Sequence, residues 1–124
     1  MKNIIIVLLS VFTFTFSFAQ EKVANFGENS ETYATNRSNG VYVFHLNSSE
    51  YTEKFIAEKA NYYTNHFNVT TSVEGDLIKV QVTLKGISQE NKNIVTRLFV
   101  SLDVKEIKYK GESFETREFL SKYI

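Results

Sequence analysis

The 124-residue chain contains no cysteine and no tryptophan. Without thiols there is no disulfide staple, so stability must come from a packed core. The chain also lacks an excess of either charge, since 14 Lys and Arg stand against 14 Asp and Glu. A neutral domain has no electrostatic footprint for nucleic acid or for an anionic lipid surface. The longest apolar run, Ile4 to Phe18, is 15 residues, short of the roughly 20 needed to span a bilayer. It follows a lone positive charge at Lys2 and ends at the small residue Ala19. That order reads as a secretory signal over residues 1–19 rather than a transmembrane anchor.

The end of this leader, "FSFAQ" before Glu21, resembles the signal ends of exported proteins of Bacteroidota-type bacteria, with Gln20 as the first mature residue. With no cysteine after the leader, a lipoprotein anchor is excluded. The expectation is a periplasmic or secreted protein with no membrane anchor after cleavage. Removal of residues 1–19 leaves 105 residues, enough for one domain with its own core. Only Lys2 is lost, so 13 basic face 14 acidic side chains.

Residues 20–40 are rich in Asn, Ser, Thr, Glu and Gly without period and read as a flexible N-terminal arm. Residues 41–124 read as a single domain. "VYVFHL" from Val41 has the length and composition of a buried strand. Asn47, with Glu50 three residues on, reads as a capped helix start, and Ile56, Ala60, Tyr63 and Phe67 fall on one helical stripe. From Phe67 the period becomes two. Phe67, Val69, Thr71 and Val73 share one face, as do Ile78, Val80, Val82 and Leu84, with Glu74-Gly75-Asp76 as the turn. Ser88 reads as the cap of a second helix with Ile94, Val95, Leu98, Phe99 and Leu102 on its apolar stripe. Val104–Lys110 reads as an edge strand, and Phe114, Phe119, Leu120 and Tyr123 mark a short closing helix.

The predicted order gives an α+β, ferredoxin-like βαββαβ sandwich: an antiparallel sheet with two helices on one face, plus a short C-terminal helix. In element order and apolar pattern, Val41 to Tyr109 resembles the heavy-metal-associated domains. That resemblance implies a metal site between the first strand and first helix, where the family carries CxxC. With Ile56 and Ala60 on the family's apolar helix positions, Ser49 and Thr52 fall where the cysteines would be. Hydroxyls are poor ligands for the soft copper(I) that thiolates select. The resemblance therefore implies a metal function that is lost or carried by harder ligands near this turn, with His45, Ser49, Glu50 and Thr52 as candidates. His45 and His66 flank a helix of about 15 residues, roughly 22 Å long, and so cannot share one ion.

Serines 48 and 49 near His45 lack the GxSxG context and oriented base that a hydrolase needs. The outward hairpin residues Asn68, Thr70, Ser72, Lys79, Gln81 and Thr83 include no stacking aromatic of the kind that binds RNA on an open sheet. Asn36, Asn47 and Asn68 fit the glycosylation sequon, which matters only in a eukaryotic host. Seven Tyr and seven Phe follow the leader, most of them expected in the core. Surplus tyrosines favour protein contacts. The expectation is a small exported, non-enzymatic binding module without a cofactor, meeting an unidentified envelope or extracellular protein through Tyr51 and Tyr62. The alternative is metal handling by non-cysteine ligands.

Overall fold

The computed structural model describes residues 22–124. The leader expected over residues 1–19 lies outside them. The described chain runs β1 (Val23–Asn25), α1 (Ser30–Ser38), β2 (Val41–Asn47), α2 (Glu53–Ala60), a 3₁₀ turn (Asn61–Tyr63), β3 (Phe67–Glu74), β4 (Leu77–Leu84), α3 (Gln89–Ser101), β5 (Glu106–Tyr109), β6 (Glu112–Glu115) and α4 (Thr116–Tyr123).

The protein is α+β. Its six strands form one sheet in the order β3-β4-β2-β1-β5-β6. Every neighbouring pair is antiparallel except β1 with β5, which is parallel. The sheet is therefore mixed, not wholly antiparallel as the pattern suggested. The difference comes from residues 20–40. Their described part is no unstructured arm: β1 enters the sheet between β2 and β5, and α1 follows it. The Asn29 side chain starts α1 by accepting from the N–H groups of Glu31 and Thr32, both at 3.0 Å. Gly40, at φ +73°, then turns the chain into β2, and a side chain there would crowd Ile87 at 3.1 Å.

Alternation puts Tyr42, Phe44 and Leu46 of β2 on the same buried face as Ile78, Val80, Val82 and Leu84 of β4. Ala24, Ile107 and Tyr109 extend that face across β1 and β5. All four helices add buried side chains to this core: Tyr33 from α1, Ile56 and Ala60 from α2, Val95, Leu98 and Phe99 from α3, and Phe119 and Leu120 from α4. Much of the aromatic load is spent here. Phe26 lies 5.3 Å from Phe44, 5.9 Å from Phe99, 4.9 Å from Phe119 and 5.6 Å from Tyr33 between ring centroids, so it links the N-terminal segment to both later helices. The opposite face of the sheet is polar, with the row Ser72, Lys79, His45, Asn25, Lys108, Ser113 running across all six strands.

The hairpin has the faces expected, running from Phe67 opposite Leu84 to Glu74 opposite Leu77; Glu74 pairs in the strand, so the turn is Gly75, at φ +63°, and Asp76 rather than Glu74-Gly75-Asp76. The helix after β2 begins later than Asn47. Thr52 is its cap and accepts from the Phe55 N–H at 3.1 Å. Ser88 caps α3 as expected, accepting from the Asn91 N–H. Between β5 and α4 the chain adds the short strand β6.

Candidate functional site

Between β2 and α2, each polar side chain from Asn47 to Ser49 and at Thr52 is taken up by local structure. The Asn47 Oδ1 accepts from the N–H and hydroxyl of Ser49 at 3.0 and 2.9 Å, an Asx turn that ends the strand. The Ser48 N–H and hydroxyl both donate to the Asp76 carbonyl, at 2.9 and 2.8 Å, lashing this turn to the β3–β4 turn. Thr52 serves as the helix cap. The Ser49 and Thr52 hydroxyls, expected as candidate ligands, are thus engaged with the chain itself.

His45 points to the polar face, where its Nε2 lies 2.9 Å from Glu74 Oε1. His66 sits at the far end of the hairpin, with Nδ1 2.8 Å from Asn91 Oδ1. Lys79 of β4, opposite His45, and Lys85, just past the end of β4 and bonded to His66, are six residues apart, about 20 Å at strand spacing. Among the described residues, no three His, Cys, Asp or Glu side chains converge on one point. Glu50 does not join the His45–Glu74 pair.

The two tyrosines of the expected interface part company. Tyr51 is 2% exposed, and its hydroxyl donates to the Leu102 carbonyl at 2.7 Å. Burial, reinforced by Glu50 and Asp103, holds that hydroxyl well above the ordinary phenol range. It ties β2's exit to the end of α3 and offers no surface to a partner. Tyr62 is 81% exposed in the 3₁₀ turn ahead of β3.

The feature that sequence reasoning passed over is the free edge of the sheet. Leu84 donates its N–H to Gly40 on the β2 side, and Lys85 donates to His66 on the β3 side. Even-numbered residues of β4 therefore address β2 and odd-numbered ones address β3, because backbone direction alternates along a strand. Through the register, Asn68, Thr70 and Ser72 turn their backbone groups inward to β4. The N–H and C=O groups of Phe67, Val69, Thr71 and Val73 point away from the sheet. Among the described residues no other strand pairs with them.

This edge is eight residues long and carries its only charge at Glu74. Val73 near its end is 58% exposed, and Leu77 across the turn is 42% exposed. The opposite edge, β6, has four residues with a glutamate at each end and runs straight into α4. Short length and charge are the usual protections of an edge, and β3 has neither along its middle. The signal was present in "NVTTSV", a β-prone stretch without Lys or Pro, but only the sheet order shows that it lies outermost. Comparison with models of known protein families, with curated proteins and with solved structures gives no match.

Proposed function

We propose that this chain is a non-enzymatic protein-binding module that takes an extended segment of a partner as an added strand on β3. The observation that carries the reading is the eight-residue edge with outward backbone groups at Phe67, Val69, Thr71 and Val73, on a sheet whose other edge is short and charged. Strand addition draws affinity from the main chain and specificity from side chains beside the edge. Tyr62 at one end and Val73 at the other are the exposed apolar groups suited to that second role. The leader-like residues 1–19 support an envelope or extracellular partner.

The frame that presents the edge is read as a ferredoxin-like unit with additions. In support, α2 joins β2 to β3 across β4, and α3 joins β4 to β5 across β2 and β1, each helix linking two parallel strands. On this reading β1 is an insertion between the first and last strands of the unit, and β6 with α4 is an extension.

The test uses two variants of one residue. Thr71→Pro removes an outward N–H and places a ring where the added strand would lie, while leaving the ladder to β4 intact. Thr71→Val keeps the N–H and loses only the 2.6 Å bond from the Thr71 hydroxyl to Glu53. A partner co-purified from the source envelope should be weakened at least about tenfold by Thr71→Pro and little by Thr71→Val. Equal retention by both variants, equal loss in both, or no partner with the wild type would contradict the reading.

A further inference from the structure

The edge strand β3 is close to being its own complement. Read outward from Thr70, its residues match in pairs: Val69 with Thr71, Asn68 with Ser72 and Phe67 with Val73. An antiparallel neighbour that sets Thr70 of a second copy against Thr70 of the first places these residues opposite one another. Each pairing is of a favourable kind: a ring with a β-branched side chain, two β-branched side chains, an amide with a hydroxyl, and threonine with threonine at the centre. Glu74, the only charge of the strand, falls beyond the last of these pairs. The two copies of Glu74 then stand about 26 Å apart along the strands rather than face to face.

The backbone selects the same register. The outward N–H and C=O groups belong to Phe67, Val69, Thr71 and Val73. Centred on Thr70, Phe67 meets Val73 and Val69 meets Thr71, so all four are engaged in each copy and each pair exchanges both bonds. A centre at Val69 or Thr71 leaves an outward residue of each copy unmatched, and a centre between two residues sets outward groups against inward ones. Tyr62 precedes the strand and Val73 closes it, so the antiparallel twofold brings the end carrying one exposed apolar group against the end carrying the other. Such pairing is closed: it covers β3 in both copies and leaves only the short, charged β6 at the outer ends.

Resting on the reading of β3 as a strand-accepting edge, we propose that the segment it takes, where no other competes, is β3 of a second copy of this chain, with the twofold axis at Thr70. The contact is a single strand pair, of the small area found in transient complexes. The dimer therefore forms at high concentration, and the dilute monomer keeps its edge open to other segments.

Sedimentation of the protein as its host produces it should show monomer at about 1 μM and a growing dimer fraction toward about 1 mM. Thr70→Lys, at an exposed position, sets two like charges face to face only when the partner is another copy, and should weaken the dimer at least about tenfold while the monomer keeps its circular dichroism spectrum. The chain has no cysteine, so single thiols report the register. Thr70→Cys should lock the dimer by a disulfide, because Cα atoms of such a non-hydrogen-bonded pair lie about 4.5 Å apart. Asn68→Cys and Ser72→Cys should each fail to lock alone, with their thiols about 13 Å apart along the strands, yet lock when mixed. Monomer at every concentration, a dimer indifferent to Thr70→Lys, or locking by Asn68→Cys alone as readily as by Thr70→Cys would overturn the self-pairing. Those results leave strand addition by another protein to its own test, in which Thr71→Pro and Thr71→Val are compared on the envelope partner.

Discussion

Tyr51 and Tyr62 show how one residue type serves opposite ends within a short stretch. Tyr51→Phe removes the donor to the Leu102 carbonyl inside the core and should cost about 1–2 kcal/mol, read by denaturant unfolding. Tyr62→Ala, at an 81% exposed position, should stay within about 0.5 kcal/mol of wild type in the same measurement. If the β3 edge is the interface, Tyr62→Ala should nevertheless weaken partner binding by about 1–2 kcal/mol. The buried tyrosines also fix a response to alkali. Burial, the leading cause, raises the hydroxyl pKa of Tyr33 and Tyr51 above the ordinary 10.0. The unfolded chain then ionises first, so the stability these groups contribute is complete below about pH 10 and lost as pH rises beyond it. Unfolding free energy measured at about pH 8 and about pH 11 should be lower at the higher value. The sequence shows seven tyrosines but not this division, because Tyr51 stands beside polar neighbours and its burial depends on the distant end of α3.

At the scale of elements, the parts with a strict period were legible. The hairpin from Phe67 to Leu84 and the stripe of α3 stand as read, since a buried face repeats every two or 3.6 residues whatever the rest of the chain does. The start of α2 was displaced because Asn47, an apt cap by composition, spends its oxygen on Ser49, leaving Thr52 to cap the helix. Thr52→Ala should therefore destabilise by about 1 kcal/mol. Both β1 and α1 went unread because their anchors, Ala24, Phe26 and Tyr33, have no common period, and the helix is held by packing rather than by its own pattern. Asn29 ahead of Ser30 was the available cue. The strand β6 escaped notice for a similar reason, having a single apolar residue, Phe114. Its turn uses Lys110 and Gly111 at φ 55° and 74°, a geometry that favours Asn-Gly. Replacing Lys110 by Asn relieves that strain and should raise stability by about 0.5 kcal/mol or more in thermal unfolding.

For the whole molecule, one inserted strand has consequences beyond its length. By lying between β2 and β5, β1 widens the sheet and makes it mixed, and Phe26 just after it joins the ring contacts that connect α1, α3 and α4 to the sheet. Phe119→Ala, at the centre of that aromatic group, should cost about 3–5 kcal/mol and loosen α1 and α4 together. The hairpin remains outermost on the other side, so the longest unprotected edge is presented far from β6. None of this was legible before the sheet order was known, since edge and centre strands share one alternation.

Amide hydrogen exchange on the free protein and on its complex with the envelope partner tests the proposed function most directly. In the free protein the amides of Asn68, Thr70 and Ser72 should be protected by β4, and those of Phe67, Val69, Thr71 and Val73 should exchange fast. In the complex this second set should become protected while the first stays unchanged. If the partner binds and those four amides still exchange fast, strand addition at β3 is contradicted.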